Sequence, residues 1–285
     1  MLDISHIPNQ SNNVWVFYTQ GETVWQTWVK PRKCNFVWIM CIGGGSGGYG
    51  GGGNGLAGSA PGGASGAVTK ALYTANVLPD TLYIQPGTGS VGGTGSLSAQ
   101  NFNAFSAGQS WVTIVPSTTT PVGLNTVCYS GVTAAAGVTG ETAATASGTL
   151  LTLGTFNSIA GQGINGLVQV VALGSSTIVC GGGNGSLSGT VAAPDISSVS
   201  LGTTSTPAII GGAAGGGAGN GGVWNWKPMY GLGGSGGGGS ASGNGGNGGD
   251  GAFGCGGGGG GNGGTGFIGG NGGRGGNGLV IIATF

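Results

Sequence analysis

GNGGNGGDGAFGCGGGGGGNGGTGFIGGNGGRGGNG, residues Gly243–Gly278, reads in triplets of Gly-Gly-X that keep one phase from end to end. The X positions are Asn244, Asn247, Asp250, Phe253, Gly256, Gly259, Asn262, Thr265, Ile268, Asn271, Arg274 and Asn277. At the remaining positions only Ala252, Cys255 and Phe267 are not glycine, and the phase reaches back through Ser235 and Leu232. A flexible linker has no reason to keep a phase. Three residues per turn is the repeat of polyproline II, which makes no hydrogen bonds within its own strand and must find partners outside it. Proline in this register would indicate a collagen triple helix, but the triplets contain none. Two faces of each turn are then bare backbone, so neighbouring passes can approach closely and exchange N–H···O=C and weak Cα–H···O contacts. The third face carries X outward, which makes Asn244, Asn247, Asn262, Asn271 and Asn277 structural positions of a lattice. At about 3.1 Å per residue the run would stretch roughly 110 Å if straight. It must fold back, with turns expected near Ala252, Cys255 and Phe267. Ordering glycine costs about 0.5–1 kcal/mol per residue relative to alanine, and only a lattice that satisfies nearly every backbone group offsets this.

Outward from the repeat, the chain ends in GLVIIATF and begins with three short apolar runs, Val14–Tyr18, Val24–Val29 and Phe36–Ile42. Their β-branched and aromatic content argues for strands. The third is apolar at every position, so both its faces should be covered. A closing strand of Val, Ile and Phe is expected to be sewn into a sheet with the N-terminal strands. Glycine takes over at Gly43, and two further strand-like runs follow at Ala67–Tyr73 and Thr81–Gln85. Ser, Thr and Ala then dominate from about Phe102 to Ile210, with strand candidates Trp111–Val115, Leu167–Leu173 and Ser176–Cys180. The expected fold is all-β with polyglycine II: a short-strand β-sandwich joined to a bundle of Gly-Gly-X polyglycine II helices, with a β-rich insertion. Its expected division is an N-terminal attachment segment (1–20), the first half of a glycine-rich module (21–100), a Ser/Thr-rich β insertion (101–210), and the second half with the lattice and closing strand (211–285).

Glycine supplies 75 of 285 residues and proline 10, a level that by itself points to low complexity or disorder. Disorder also needs low hydrophobicity and high net charge, whereas this chain is 38% apolar, has seven Trp and carries no net charge. It should fold. Six basic and six acidic side chains leave no footprint for nucleic acid, and the tightest basic group, Lys30, Arg32 and Lys33, reads as a solvated turn. So few ionic groups favour a subunit destined for an assembly. The N-terminal residues lack the basic and apolar regions of a signal peptide, and no apolar stretch is long enough to span a bilayer. The five cysteines, Cys34, Cys41, Cys128, Cys180 and Cys255, show no paired spacing and read as small buried thiols.

Catalytic and metal-binding patterns are absent from the sequence. His6 is the single histidine, and the carboxylates Asp3, Glu22, Asp80, Glu141, Asp195 and Asp250 stand tens of residues apart. No lysine follows a glycine, which removes the Walker A pattern. Residues Gly245–Phe253 approach a calcium-binding nonapeptide but lack its large apolar residue at Ala252 and have no tandem copy. The expectation is a protein that is not an enzyme and needs no cofactor.

Three segments in order carry a resemblance: FVWIMCIGGGSGGYGGGG (36–53), GAVTKALYTANVLPDTLYIQPGTG (66–89) and GGRGGNGLVIIATF (272–285). Together they resemble the glycine-rich domain of bacteriophage tail-fibre and tail-tip proteins, over roughly residues 23–95 and 211–285. The resemblance implies a virion protein of the tail, made in the host cytoplasm without a signal peptide, that mediates host-surface recognition and attachment. Its implied partners are other virion tail proteins and a host cell-surface receptor, a glycan or an outer-membrane protein, with a homo-oligomer, a trimer, favoured. In such adhesins polyglycine II helices form a sandwich and the loops between glycine motifs bind receptors. The matching interruption here is VWNWKPMYG, which makes Trp224, Asn225, Trp226, Met229 and Tyr230 the candidate receptor-binding residues. Large aromatics beside glycine give much contact area at low entropy cost. Trp224 and Trp226 read equally well as buried caps on the lattice edge, and Phe253 and Phe267 as turn anchors. The Ser/Thr-rich middle departs from the family pattern, so the contact surface is the aromatic loop, the middle, or neither. A purely structural virion subunit, a spacer without receptor binding, is the alternative function. Ice binding fits poorly with X positions that mix Asn, Asp, Phe, Ile and Arg, and sparse carboxylates leave polysaccharide hydrolysis last.

Overall fold

A computed structural model describes residues 13–21, 23–55, 58–98, 107–117, 125–130, 154–158, 179, 181–187, 191–193, 195, 200–201, 204–205, 209–226 and 229–285. The strand candidate Leu167–Leu173 lies outside these residues, as do Ser176–Cys180 except Val179, and His6, Asp3, Glu22 and Glu141. The described residues are nearly all β, in antiparallel sheets, and contain no α-helix.

Two sheets hold the apolar runs. β1 (Val14–Tyr18) pairs with the C-terminal strand β13 (Leu279–Thr284), β13 with β3 (Phe36–Ile42), β3 with β4 (Val68–Thr74), and β4 with β8 (Gly154–Ser158). The closing strand is therefore sewn between the first and third strands, with Val16 opposite Ile281 and Val280 opposite Cys41. The second sheet runs β2 (Gln26–Val29), β5 (Thr81–Gln85), β6 (Trp111–Thr113), β7 (Thr126–Tyr129). β6, β7 and β8 come from the Ser/Thr-rich stretch assigned to a separate insertion at 101–210, yet they share sheets with strands of residues 21–100. Composition marks where a segment changes material, whereas strand pairing is decided by partners far away in sequence. Short two-residue strands β9 (Ser200–Leu201) and β10 (Thr204–Ser205) pair with each other.

Alternation of side chains along β3 splits its apolar run between two cores. Val37, Ile39 and Cys41 join Ala71, Tyr73, Val280 and Ile282 against Trp28, Leu82, Ile84, Val112 and Cys128 of the second sheet. Trp38, Met40 and Ile42 point the other way, with Val68, Leu279, Ile281, Val179 and Cys255. Both faces of β3 are covered, as its unbroken hydrophobicity predicts. Between β4 and β5 a turn of 3-10 helix, Ala75–Val77, is fastened from outside by Lys30. The Lys30 ammonium donates to the carbonyls of Ala75 (2.9 Å) and Leu78 (2.6 Å) and sits 3.2 Å from Asp80. Lys30 is thus folded in rather than part of a solvated turn, because its long stem reaches carbonyls that the sequence does not place beside it. Lys33, in the same group, occupies the left-handed region at φ 69°.

The glycine-rich stretches run beside one another and bond at every third residue. Gly45, Gly48 and Gly51 donate to the carbonyls of Gly276, Gly273 and Gly270, an antiparallel pair of passes. Gly245, Gly248 and Gly251 donate to Ile268, Asn271 and Arg274, a parallel pair. Burial follows the same step: Asn244, Asn247 and Asp250 are exposed while Gly246 and Gly249 are buried, and Asn271, Arg274 and Asn277 are exposed while Gly273 and Gly276 are buried. The chain reverses at Phe253–Gly254 and at Thr265–Gly266, where Gly254 and Gly266 take φ of +68° and +80°. Those reversals lie beside Ala252, Cys255 and Phe267, the departures from the triplet.

The pass from Cys255 to Gly263 sits at the centre. Gly257 and Gly260 donate to Ser46 and Tyr49, Gly258 and Gly261 to Gly249 and Gly246, and Gly259 and Asn262 to Gly183 and Ser186. Its carbonyls accept in turn from Gly63, from Gly234 and Gly237, and from Gly270 and Gly273. With neighbours on every side, no face of this pass points outward. Its X positions accordingly are Gly256, Gly259 and a fully buried Asn262. A Cβ at Gly256 would lie 1.9 Å from the Gly63 carbonyl oxygen, and one at Gly259 would lie 2.0 Å from that of Ala60.

Candidate functional site

VWNWKPMYG folds as a short hairpin, β11 (Trp224–Trp226) against β12 (Met229–Gly231), rather than as a loop. Trp224 faces Gly231, Asn225 faces Tyr230 and Trp226 faces Met229. The five candidate residues therefore come together, but they differ in exposure. Tyr230 is buried at 5%. Trp224 and Met229 pack onto the core behind β3 and β13. Trp226 alone among them is exposed, at 40%. Gly231 permits the arrangement: a Cβ there would lie 2.6 Å from the Cys255 sulfur and 2.8 Å from the Trp224 ring. The two tryptophans thus divide the roles that the sequence leaves open, Trp224 as a partly buried cap and Trp226 as exposed surface.

Aromatic contacts continue from the hairpin into the lattice. Trp226 meets Trp224 edge-on at 5.6 Å between ring centres, Trp224 meets Phe253 at 5.8 Å, and Phe253 meets Tyr18 at 5.4 Å. Phe253, at the reversal of the chain, anchors that turn against β1 and the hairpin together. The Trp224 Nε1 is buried and finds no acceptor among the described residues. Its ring is held by apolar packing.

Beside Trp224 and Phe253 opens a cleft of about 500 Å³, whose polar side chains are Asp250, Arg274 and Asn277. These three belong to the exposed X columns of neighbouring passes. Asp250 Oδ1 accepts from the Arg274 backbone N–H at 2.7 Å, and Asn277 Oδ1 accepts from the Gly89 N–H at 2.9 Å. The same bond recurs down the face: Asn247 accepts from the Asn271 N–H at 2.8 Å and Asn244 from the Ile268 N–H at 3.2 Å. Asn271 accepts from Gly95 at 2.8 Å. On an outer face no further pass supplies a carbonyl, so a side-chain oxygen takes the outward N–H. Inside, Asn262 accepts from Gly52 at 3.0 Å and donates to the Gly58 carbonyl. All five lattice asparagines therefore act on the backbone.

Sequence reading missed Asp250 and Arg274 as site residues and Asn184 as a lattice position; Asn184 is buried and accepts from Gly62 at 3.0 Å. A signal was present for the first pair. Asp250 and Arg274 stand 24 residues apart in the repeat phase, the same separation as Asn247 and Asn271. Among the described residues no His, Cys, Asp and Glu side chains gather as a metal site. None of their helices is long and apolar enough to cross a membrane. No protein-family model matches the chain, and no curated protein matches it.

Proposed function

We propose that this chain is a bacteriophage virion protein of the tail fibre or tail tip that recognises and attaches to the host surface, and that it is not an enzyme. The carrying observation is the hairpin, where Trp226 is 40% exposed while Tyr230 is 5% exposed beside it. An aromatic contact residue held on buried neighbours loses little entropy when it binds. In this reading the glycine passes are polyglycine II helices and the two sheets form a β-sandwich. Bonding at every third residue and the period-three burial of Asn244–Asp250 and Asn271–Asn277 support the first; the core shared by both sheets supports the second. The partners are other tail proteins and a host receptor, with the chain assembled as a trimer in the virion.

The test is adsorption. Recombinant protein should bind host cells and slow phage adsorption in competition, and Trp226→Ala should weaken both effects without lowering the melting temperature. Absence of cell binding by the wild-type protein, with antiserum labelling the shaft or head instead of the tail tip, would leave a structural spacer as the function. Sedimentation of the purified protein as a monomer at all concentrations would remove the trimer.

A further inference from the structure

We propose that the cleft between the hairpin and the glycine lattice binds a saccharide that carries a carboxylate, one or two pyranose rings in size. The inference rests on the reading of the hairpin as a host-contact element and names the ligand class. Its volume of about 500 Å³ falls in the range of small-ligand sites, ~300–1,000 Å³. The Trp224 and Phe253 rings meet at 83°, so the cleft has apolar walls in two orientations, suited to the C–H faces of a sugar. Gly222, Gly251 and Gly275 contribute backbone alone to the lining, which leaves room for a pyranose ring.

The polar groups are placed for hydroxyls and one negative charge. Asp250 spends Oδ1 on the Arg274 N–H, and its second oxygen remains to accept from a hydroxyl. Asn277 spends Oδ1 on Gly89, and its amide N–H groups remain to donate. Arg274 makes no ion pair among the described residues. A chain with only six basic and six acidic side chains has thus put one of each in a single cleft, unpaired with each other. The lattice does not need charge there, since Asn247 does for Asn271 what Asp250 does for Arg274. An unpaired guanidinium selects a carboxylate by a forked pair of hydrogen bonds. A phosphate-rich ligand would call for several cations where the described residues of the lining offer Arg274 alone.

The experiment is calorimetric titration of the whole protein with oligosaccharides of two to four residues containing hexuronate, and with neutral hexose oligosaccharides of the same lengths. The expected result is saturable binding of the uronate series, about tenfold or more weaker in Arg274→Gln, the loss of a charge-assisted contact. Arg274→Lys should recover part of that loss, and Asn244→Ala, outside the cleft, should bind like wild type. Unchanged melting temperatures of the two Arg274 variants separate these effects from misfolding. No saturable binding of either series overturns the proposal, as does equal uronate affinity in wild type and Arg274→Gln; neutral sugars binding as tightly as uronates overturns the carboxylate. Adsorption to host cells by a protein that ignores both series removes this inference and leaves the attachment reading. Uronate binding without adsorption does the reverse.

Discussion

Gly256 and Gly259 occupy X positions, and a glycine there means something different from the glycines on either side. Flanking glycines make room for one neighbour each, whereas these two mark a pass surrounded on its third face as well. Gly259→Ala would put a Cβ 2.0 Å from a backbone oxygen that cannot swing away. The expected cost is roughly 3 kcal/mol or more, with loss of cooperative urea unfolding as the extreme outcome. Asn247→Ala, on an exposed X position, removes one side-chain bond to backbone and should cost about 1 kcal/mol in the same titration. Lys30 offers a second test at this scale. Lys30→Ala strips two carbonyls of their donor and should cost about 1–3 kcal/mol. Asp80→Ala should change stability by less than about 0.5 kcal/mol, because that carboxylate is 89% exposed.

At the scale of the element, phase is the quantity that the glycine passes must preserve. Deleting Asn247, Gly248 and Gly249 shortens one pass by one whole triplet, and its remaining triplets keep their faces. Deleting Gly248 alone shifts the rest of that pass by one position in its three-residue phase and drives an X side chain toward a neighbouring carbonyl. Thermal unfolding should stay cooperative at a lower midpoint for the triplet deletion and be lost for the single one. The hairpin obeys a different rule. Gly231→Ala would collide with Trp224 and the Cys255 sulfur, so it should lift β11 and β12 from the core and raise the solvent quenching of tryptophan fluorescence. Three-residue strands are too short to show a period, which is why VWNWKPMYG reads as a loop; cross-strand pairing of Asn225 with Tyr230 is invisible from one strand.

Across the whole molecule, the join between the two sheets contains groups that resist ionisation. Burial, and then the neighbouring Cys128, hold the Cys41 thiol well above its usual 9.0. Burial, and then Cys128 and Cys41, hold the Tyr73 phenol above its usual 10.0, while its hydroxyl donates to the Val127 carbonyl. In the unfolded chain both ionise freely once the pH passes those ordinary values. Their contribution is therefore complete below about pH 9 and is lost as pH rises beyond it. Lys70 works in the opposite sense, since burial lowers its ammonium from 10.5 and folding favours the neutral amine as pH rises. The urea midpoint should fall between about pH 9 and about pH 10.5, fall less in Cys41→Ala, and fall more steeply in Lys70→Met.

The period of the glycine passes, the places where they reverse, the strand character of Val14–Tyr18 and Phe36–Ile42, and the return of Leu279–Thr284 to them can all be read from the order of the amino acids. Each is a local signal: a repeat of three, a break in that repeat, an apolar run. Packing between distant segments decided that Cys255–Gly263 lies at the centre, that Trp111–Thr113 joins the sheet of Thr81–Gln85, and that Trp224 is tucked in while Trp226 is left out. It also decided that Asp250, Arg274 and Asn277 share a cleft with Trp224 and Phe253. These depend on which pass lies beside which, and a Gly-Gly-X repeat offers nearly identical faces to every neighbour. The choice among them is made by the sheets and turns that fix the ends of each pass.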